Sequence, residues 1–354
     1  MPMLAEVVDA VVGIDTHRDV HVAELAGPTG TPLAITQIPN TSAGYLELLG
    51  WVAQHSPGPR VVVTIEGTRS FGIGLARTLS AAGLPVLECE QPTRKARRGR
   101  GKSDPIDAHL AVLTALQLDA DRLPTPRADG VREALRILLT ARQELTTTAT
   151  AQTNRLRALL LSGSDRDRDL SRASLTDATL AALARRRLPT DATVEHAVRH
   201  DEIRRLSVAL RQGAQALKVN RSQLQELVDR IVPGLTDRRG LGPVSAAQAI
   251  VSYSHPGRVR NDAAFAALAG TSPLPASSGR TVRHRLNRGG DRALNRAVHT
   301  IVLTRMRCCE RTRSYVARRT AEGKTLREIR RALKRYVTRE LYRALTAAMS
   351  LDNT

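Results

Sequence analysis

Short apolar runs alternate with polar turns over the first 120 or so residues; beyond them the apolar positions recur only at helical spacing. Val11–Ile14, Val20–Leu25 and Leu33–Ile38 read as three successive strands, with the turn Gly27-Pro28-Thr29-Gly30 before the third. A helix follows over Ser42–His55, with Tyr45, Leu48, Leu49 and Val52 along one face. Arg60–Ile65 (RVVVTI) is the strongest strand pattern in the chain. A helix over Gly72–Ala82, a strand over Pro85–Cys89 and a helix over Asp104–Leu118 complete the unit. From about Asp129 the strand signals stop. Residues 129–162 and 191–231 carry Leu, Val, Ile and Ala at i, i+3, i+4, and Ser164–Arg172 is a polar break between them. Two long amphipathic helices so joined predict an αα-hairpin that packs on itself or on a second subunit; a helical spacer is the plainer reading.

After Pro233 the texture changes again. Gly240-Leu241-Gly242 sits between helical stretches, either as a plain turn or as a helix-hairpin-helix offering backbone N–H groups to a phosphate. A loop (SPLPASSGR), a basic run from Arg280 to Arg296 and helices over 291–309 and 325–349, Arg-rich on one side, close the chain. Three domains follow: an α/β domain over 1–125, an all-α, coiled-coil-like segment over 126–232 and a mainly α domain over 233–354. Three meandering strands followed by βαβ elements is the order of a ribonuclease-H-like fold.

Charge adds a partner. The 354 residues carry a formal net charge of +20. So basic a protein binds a polyanion, because neutralised phosphates release their counterions. Aromatics make up only 2%, which points to phosphate and groove contacts through Arg and Lys rather than to base stacking. The three cysteines, Cys89, Cys308 and Cys309, lack metal-site spacing and fit a reducing compartment, with the last two expected as buried packing. No basic signal-peptide start and no membrane-spanning apolar run is present, so a cytoplasmic protein without membrane contact is expected.

Within this basic chain four carboxylates are placed at element ends. Asp15 follows the first strand (GIDTH), Glu66 ends the strand VVVTIE, and Asp104 and Asp107 open a helix at i, i+3. Strand ends of an α/β sheet converge on one edge, where ligands bind. Converging carboxylates there would hold two Mg²⁺ ions for in-line attack on a phosphodiester. Ser-Asp-Pro-Ile-Asp is also what a helix start wants, with Asp104 as N-cap, Pro105 at N1 and Asp107 at N3. It is the conjunction of all four that favours metal. His17 and His21 would be supporting or surface residues; His196 and His200, i, i+4 on a helix without a third ligand, read as a solvated face.

GIDTHRDVHVAEL, TIEGTRSFG and KSDPIDAHLA resemble the three blocks of the DEDD insertion-sequence transposases, whose N-terminal domain is similar to the RuvC resolvase. FAALAGTSPLPASSGRTVRHRLNRGGDRALNRAV resembles the second domain of that family, so the likeness covers nearly the whole chain. It implies that Asp15, Glu66, Asp104 and Asp107 hold Mg²⁺ and that a serine is the nucleophile on DNA. Ser278, beside Gly279, is preferred and Ser277 is the alternative, although a Ser-Ser-Gly stretch is by itself an ordinary flexible loop. The likeness also implies a guiding structured non-coding RNA. Double-stranded DNA is the expected substrate, and a homo-oligomer, dimer or tetramer, is expected because exchange needs more than one strand cut.

A serine hydroxyl is a poor nucleophile without a base or metal. Arg280, Arg283, Arg285, Arg288 and Arg292 could clamp the phosphate, and Arg94, Lys95, Arg97, Arg98, Arg100 and Lys102 form a basic loop ahead of the acidic helix. The leading expectation is a Mg²⁺-dependent, serine-dependent DNA transposase or site-specific recombinase. The competing readings are a RuvC-like hydrolytic junction resolvase and a non-catalytic nucleic-acid binder whose acids only cap and turn.

Overall fold

A computed structural model describes residues 2–89, 104–121, 123–127, 129–255, 258–275, 284–285, 287 and 289–350. The chain divides into two compact units, one built from residues 1–133, 253–266 and 349–354, the other from residues 134–252 and 267–348.

The first unit carries a five-stranded sheet. After a short helix α1 (Leu4–Val7) come β1 (Ala10–Thr16), β2 (Val20–Ala26), β3 (Pro32–Pro39), α2 (Ser42–His55), β4 (Val61–Glu66), α3 (Ile73–Ala81), β5 (Val86–Cys89) and α4 (Asp104–Leu116). The strand order is β3-β2-β1-β4-β5; β1, β2 and β3 pair antiparallel, while β4 and β5 run parallel to β1. This is the mixed α/β unit that the strand pattern foretold, and each boundary lies within a few residues of the sequence reading.

The sheet is covered on both faces, and strand alternation decides what goes where. Val12 and Ile14 of β1, with Ala23, Leu25, Val63 and Ile65, join Tyr45, Leu48, Leu75 and Leu79 of α2 and α3 in one core cluster. Val11, Ala26, Val62 and Leu87 point the other way and pack with Val112, Ala115 and Leu116 of α4. Residues 11, 13 and 15 of β1 therefore face α4, as do 62, 64 and 66 of β4.

The second unit is almost entirely helical. Its elements are α5 (Gly130–Leu161), α6 (Asp165–Arg172), α7 (Asp177–Ala184), α8 (Val194–Ile231), α9 (Pro243–Tyr253), α10 (Asp262–Leu268), β6 (Leu274–Pro275), β7 (His284–Arg285), α11 (Arg292–Cys308), α12 (Glu310–Ala321) and α13 (Leu326–Ser350); α5, α9 and α13 have one end in the first unit, and α10 most of its length. Helices α5 and α8 run antiparallel: Arg142 bonds the Leu217 carbonyl and Asn220, whereas Leu156 and Leu160 meet Ile203, Leu206 and Leu210.

Four local expectations need correction. Ser164–Arg172 is not a break, because Ser164 and Asp167 form a capping box that starts a helix there. His200 is buried and its Nε2 lies 3.1 Å from the Arg186 carbonyl, so it is no part of a solvated face. Cys308 is exposed and Cys309 half-buried where α11 passes into α12, a helix that the pattern did not separate. Gly240-Leu241-Gly242 follows a 3-10 turn, Leu235–Asp237, rather than a helix, and Gly240 (φ +81°) leaves room for Arg305 and Ile301 of α11.

Candidate active site

Asp15 is the penultimate residue of β1 and faces α4. What lets it meet that helix is Gly13, two residues earlier on the same face: a Cβ there would overlap the Ala108 carbonyl and stand 2.7 Å from Val112 Cγ2. A bare Cα brings the helix onto the strand, and Asp104 and Asp107 come with its first turn. The loop after β4 is held in similar fashion. Thr16 Oγ1 donates 2.7 Å to the Glu66 carbonyl, and Gly67, at φ +79°, makes the turn where a Cβ would press on that hydroxyl. The ends of β1 and β4 are thus tied together.

The Asp15 and Asp104 carboxylates meet through His17. Its Nε2 lies 3.4 Å from Asp15 Oδ2 and 3.1 Å from Asp104 Oδ1. One ligating atom from each of the three residues falls within 4.8 Å of the others, close enough to share a metal ion. Asp107 is buried, and Glu66 is half-buried at the end of β4 on the same face of the sheet. Burial pushes the Asp15 carboxyl above its usual range; His17 pulls it down, and the negative charges of Asp107 and Asp104 push it further up. Oxygen-rich sets of this kind suit hard divalent ions such as Mg²⁺, and an imidazole widens the choice toward Mn²⁺.

One functional candidate on this face escaped sequence reasoning. Glu24, in β2 directly across from Gly13, is buried and its Oε1 lies 2.6 Å from His109 Nδ1 on α4. The available signal was an acid at an inward position of the strand HVAEL, but nothing local paired it with a histidine 85 residues away. His17, set aside as a supporting residue, stands between the two acids.

The basic loop (Arg94, Lys95, Arg97, Arg98, Arg100, Lys102), both serines (Ser277, Ser278) and Arg280, Arg283 and Arg288 lie outside the described residues. On either side of the serine segment, β6 and β7 pair antiparallel, Leu274 opposite Arg285. Arg285 and Arg292, the latter opening α11, are exposed.

With this geometry in place, two transposase family models match the chain: one described as transposase, over residues 12–163, and one described as transposase IS116/IS110/IS902 family, over residues 234–317. Both matched segments are thus similar to transposases of this family. The first matched segment holds all four carboxylates, His17, Glu24 and His109; the second holds both serines. A curated relative, the "Mini-circle putative transposase for IS117" of Streptomyces coelicolor, is 31% identical over 153 residues. That match takes in 42% of this chain and 37% of the relative, so the chain spans well under half of that protein's length. Among the described residues, no helix is long and apolar enough to cross a membrane.

Proposed function

We propose that this chain cuts and rejoins DNA strands as an insertion-sequence recombinase, with its acidic set on a ribonuclease-H-like sheet. The observation that carries the reading is the meeting of Asp15, His17 and Asp104 at the edge where β1 ends and α4 begins. Asp15, Glu66, Asp104 and Asp107 would hold Mg²⁺, two ions in the fullest reading. The bound metal would supply positive charge for the oxygens of the reacting phosphate. The chain's own residues do the rest. Gly13 seats the helix that presents Asp104 and Asp107, Thr16 fixes the strand end, and the acidic set with its metal would help to take the proton from the serine. His17 orients both carboxylates.

The nucleophile is Ser278, with Ser277 as the alternative. Its Oγ attacks phosphorus and the 3′-oxygen of the cut strand leaves, which conserves the phosphodiester energy in a phosphoserine link. An incoming 3′-hydroxyl then displaces the serine. A structured RNA that pairs with both DNAs and an assembly of two or four copies complete the reading.

The test uses Asp15→Asn and Ser278→Ala in a strand-exchange assay on element ends with Mg²⁺. Both variants should abolish exchange, and the wild-type chain should carry a covalent DNA adduct that Ser278→Ala lacks. Strand cleavage that survives Ser278→Ala and Ser277→Ala but not Asp15→Asn would turn the reading to hydrolysis by water. Unchanged products in every variant would leave a binding protein. Co-purification with one discrete RNA, identified by sequencing, tests the guide.

A further inference from the structure

Two adjoining cavities lie along the last helices of the second unit, and they share a wall. One, of about 1250 Å³, runs between α11, α12 and α13; the other, of about 840 Å³, lies between α13 and Gly270–Pro273, Arg285 and Asn287. The smaller falls within the roughly 300–1,000 Å³ of small-molecule sites and the larger exceeds it, so together they have room for more than one nucleotide. Tyr336 and Arg339 line both.

The lining is cationic, and its few acids are already engaged. Exposed Arg311, Arg318 and Arg343 face the larger cavity, whose one carboxylate, Glu340, is bound by Arg305 at 2.7 and 3.0 Å and by Arg238 at 3.4 Å. Lys324, Arg331 and Arg335 face the smaller one, where Glu328 caps α13 by accepting the Thr325 N–H at 2.9 Å. Positive charge therefore exceeds negative in both cavities, as a run of phosphates would require.

Between them stands an aromatic platform. Tyr336 is 55% exposed, and its ring is set edge-on to Tyr315 with centroids 5.9 Å apart. Arg318 lies over the Tyr315 ring, 5.4 Å from its centroid. Three of the chain's five tyrosines, Tyr315, Tyr336 and Tyr342, fall on α12 and α13, so the low aromatic content of the chain is concentrated here. A large exposed ring beside arginines is what an unpaired base stacks on, with its flanking phosphates held by cations. A duplex cannot use it, because its bases are stacked on one another.

From this geometry we propose that α12 and α13 bind a single-stranded stretch of nucleic acid, with one base on Tyr336 and the backbone phosphates in the cavities on either side. The site goes beyond strand exchange and does not involve the carboxylate set. The ligand chemistry is an unpaired base flanked by phosphodiesters, which a looped-out RNA or a displaced DNA strand would both supply.

The test is fluorescence anisotropy of the full chain with a labelled oligo-U, an oligo-dT of equal length and a duplex of mixed sequence. It is run over a salt series in EDTA, so that strand exchange is not being read. Tyr336→Ala should weaken single-strand binding about tenfold, the scale of one lost base stack, and leave duplex binding unchanged. Tyr336→Phe should retain the affinity, and Arg343→Ala should lower the salt slope by about one phosphate contact. A thermal midpoint equal to wild type shows that the exposed Tyr336→Ala change spares the fold. Tighter binding of oligo-U assigns the site to RNA and tighter binding of oligo-dT to DNA; both uphold it. The proposal is overturned if Tyr336→Ala leaves single-strand binding intact or weakens duplex equally, or if Tyr336→Phe loses as much as Tyr336→Ala. Such a result would leave the strand-exchange assays untouched.

Discussion

Gly13 and Asp15 share a face of β1, and the first is what makes the second useful. Gly13→Ala would drive a methyl into the Ala108 carbonyl and the Val112 side chain, so strand or helix must shift. The expected loss is about 1–3 kcal/mol, as for overpacking in a filled core, read as a lower thermal midpoint. Strand exchange should fall further than stability accounts for, because Asp104 moves with α4. Asp15→Asn is the contrast: it removes one of several crowded negative charges and should leave the midpoint unchanged or higher while ending exchange. The places of Asp15, Glu66, Asp104 and Asp107 at strand ends and at a helix start were legible because each stands in a short block at an element boundary. His17 as a bridge and Glu24–His109 as a pair were not. Their partners are set by strand register and by which face α4 presents, and neither is written in local spacing.

At the scale of elements, helical periodicity foretold both long helices to within a few residues but not what fixes their mutual register. Buried polar groups do that. Asn220 Nδ2 donates 2.9 Å to the Leu138 carbonyl, and its Oδ1 accepts from Arg142 at 3.3 Å. Arg142 also donates to the Leu217 carbonyl, and burial, then Arg221, pulls its guanidinium below its ordinary pKa. Asn220→Ala should cost about 1 kcal/mol, more if Arg142 is left poorly paired. Arg142→Ala should cost a similar amount, and the double variant less than the two together, by roughly 0.5 kcal/mol or more. Thermal unfolding of the four chains of that cycle decides it; strict additivity would mean that the two residues act separately. The same limit explains the miss at Ser164–Arg172. Charge density there read as a polar break, whereas a capping box and the Asp167–Arg186 ion pair at 2.6 Å stabilise a short helix.

For the whole molecule, a charge of +20 makes pH a lever on stability, and the titrating groups fall into two classes. Burial pushes Glu88, Asp167 and Glu340 up, but arginine partners outweigh it and hold all three below their ordinary values: Arg127 for Glu88, Arg186 for Asp167 and Arg305 for Glu340. These carboxylates stay charged in the fold, and the stability they give persists until the pH drops below the normal carboxylate range. The histidines act earlier. Burial lowers His21, His255 and His299, with Arg258 and Arg127 adding to the effect at His255 and Lys334 at His299. His255 falls from 6.5 to about 4, and its Nε2 is buried with no hydrogen-bond partner among the described residues. Each of these rings takes its proton at lower pH in the folded chain than in the unfolded one. Below about 6.5 the unfolded state therefore binds more protons, and stability falls as the pH drops toward about 4. Every proton gained also adds to a charge that is already repulsive. Urea unfolding at a series of pH values should show this decline beginning near 6.5 rather than at the carboxylate range. In His255→Gln, which removes the titration but keeps a polar side chain, the slope between pH 6 and 4 should flatten by up to one proton, ~1.4 kcal/mol per pH unit. An unaltered slope would mean that His255 titrates alike in both states, and that burial among arginines does not govern the acid side of this fold.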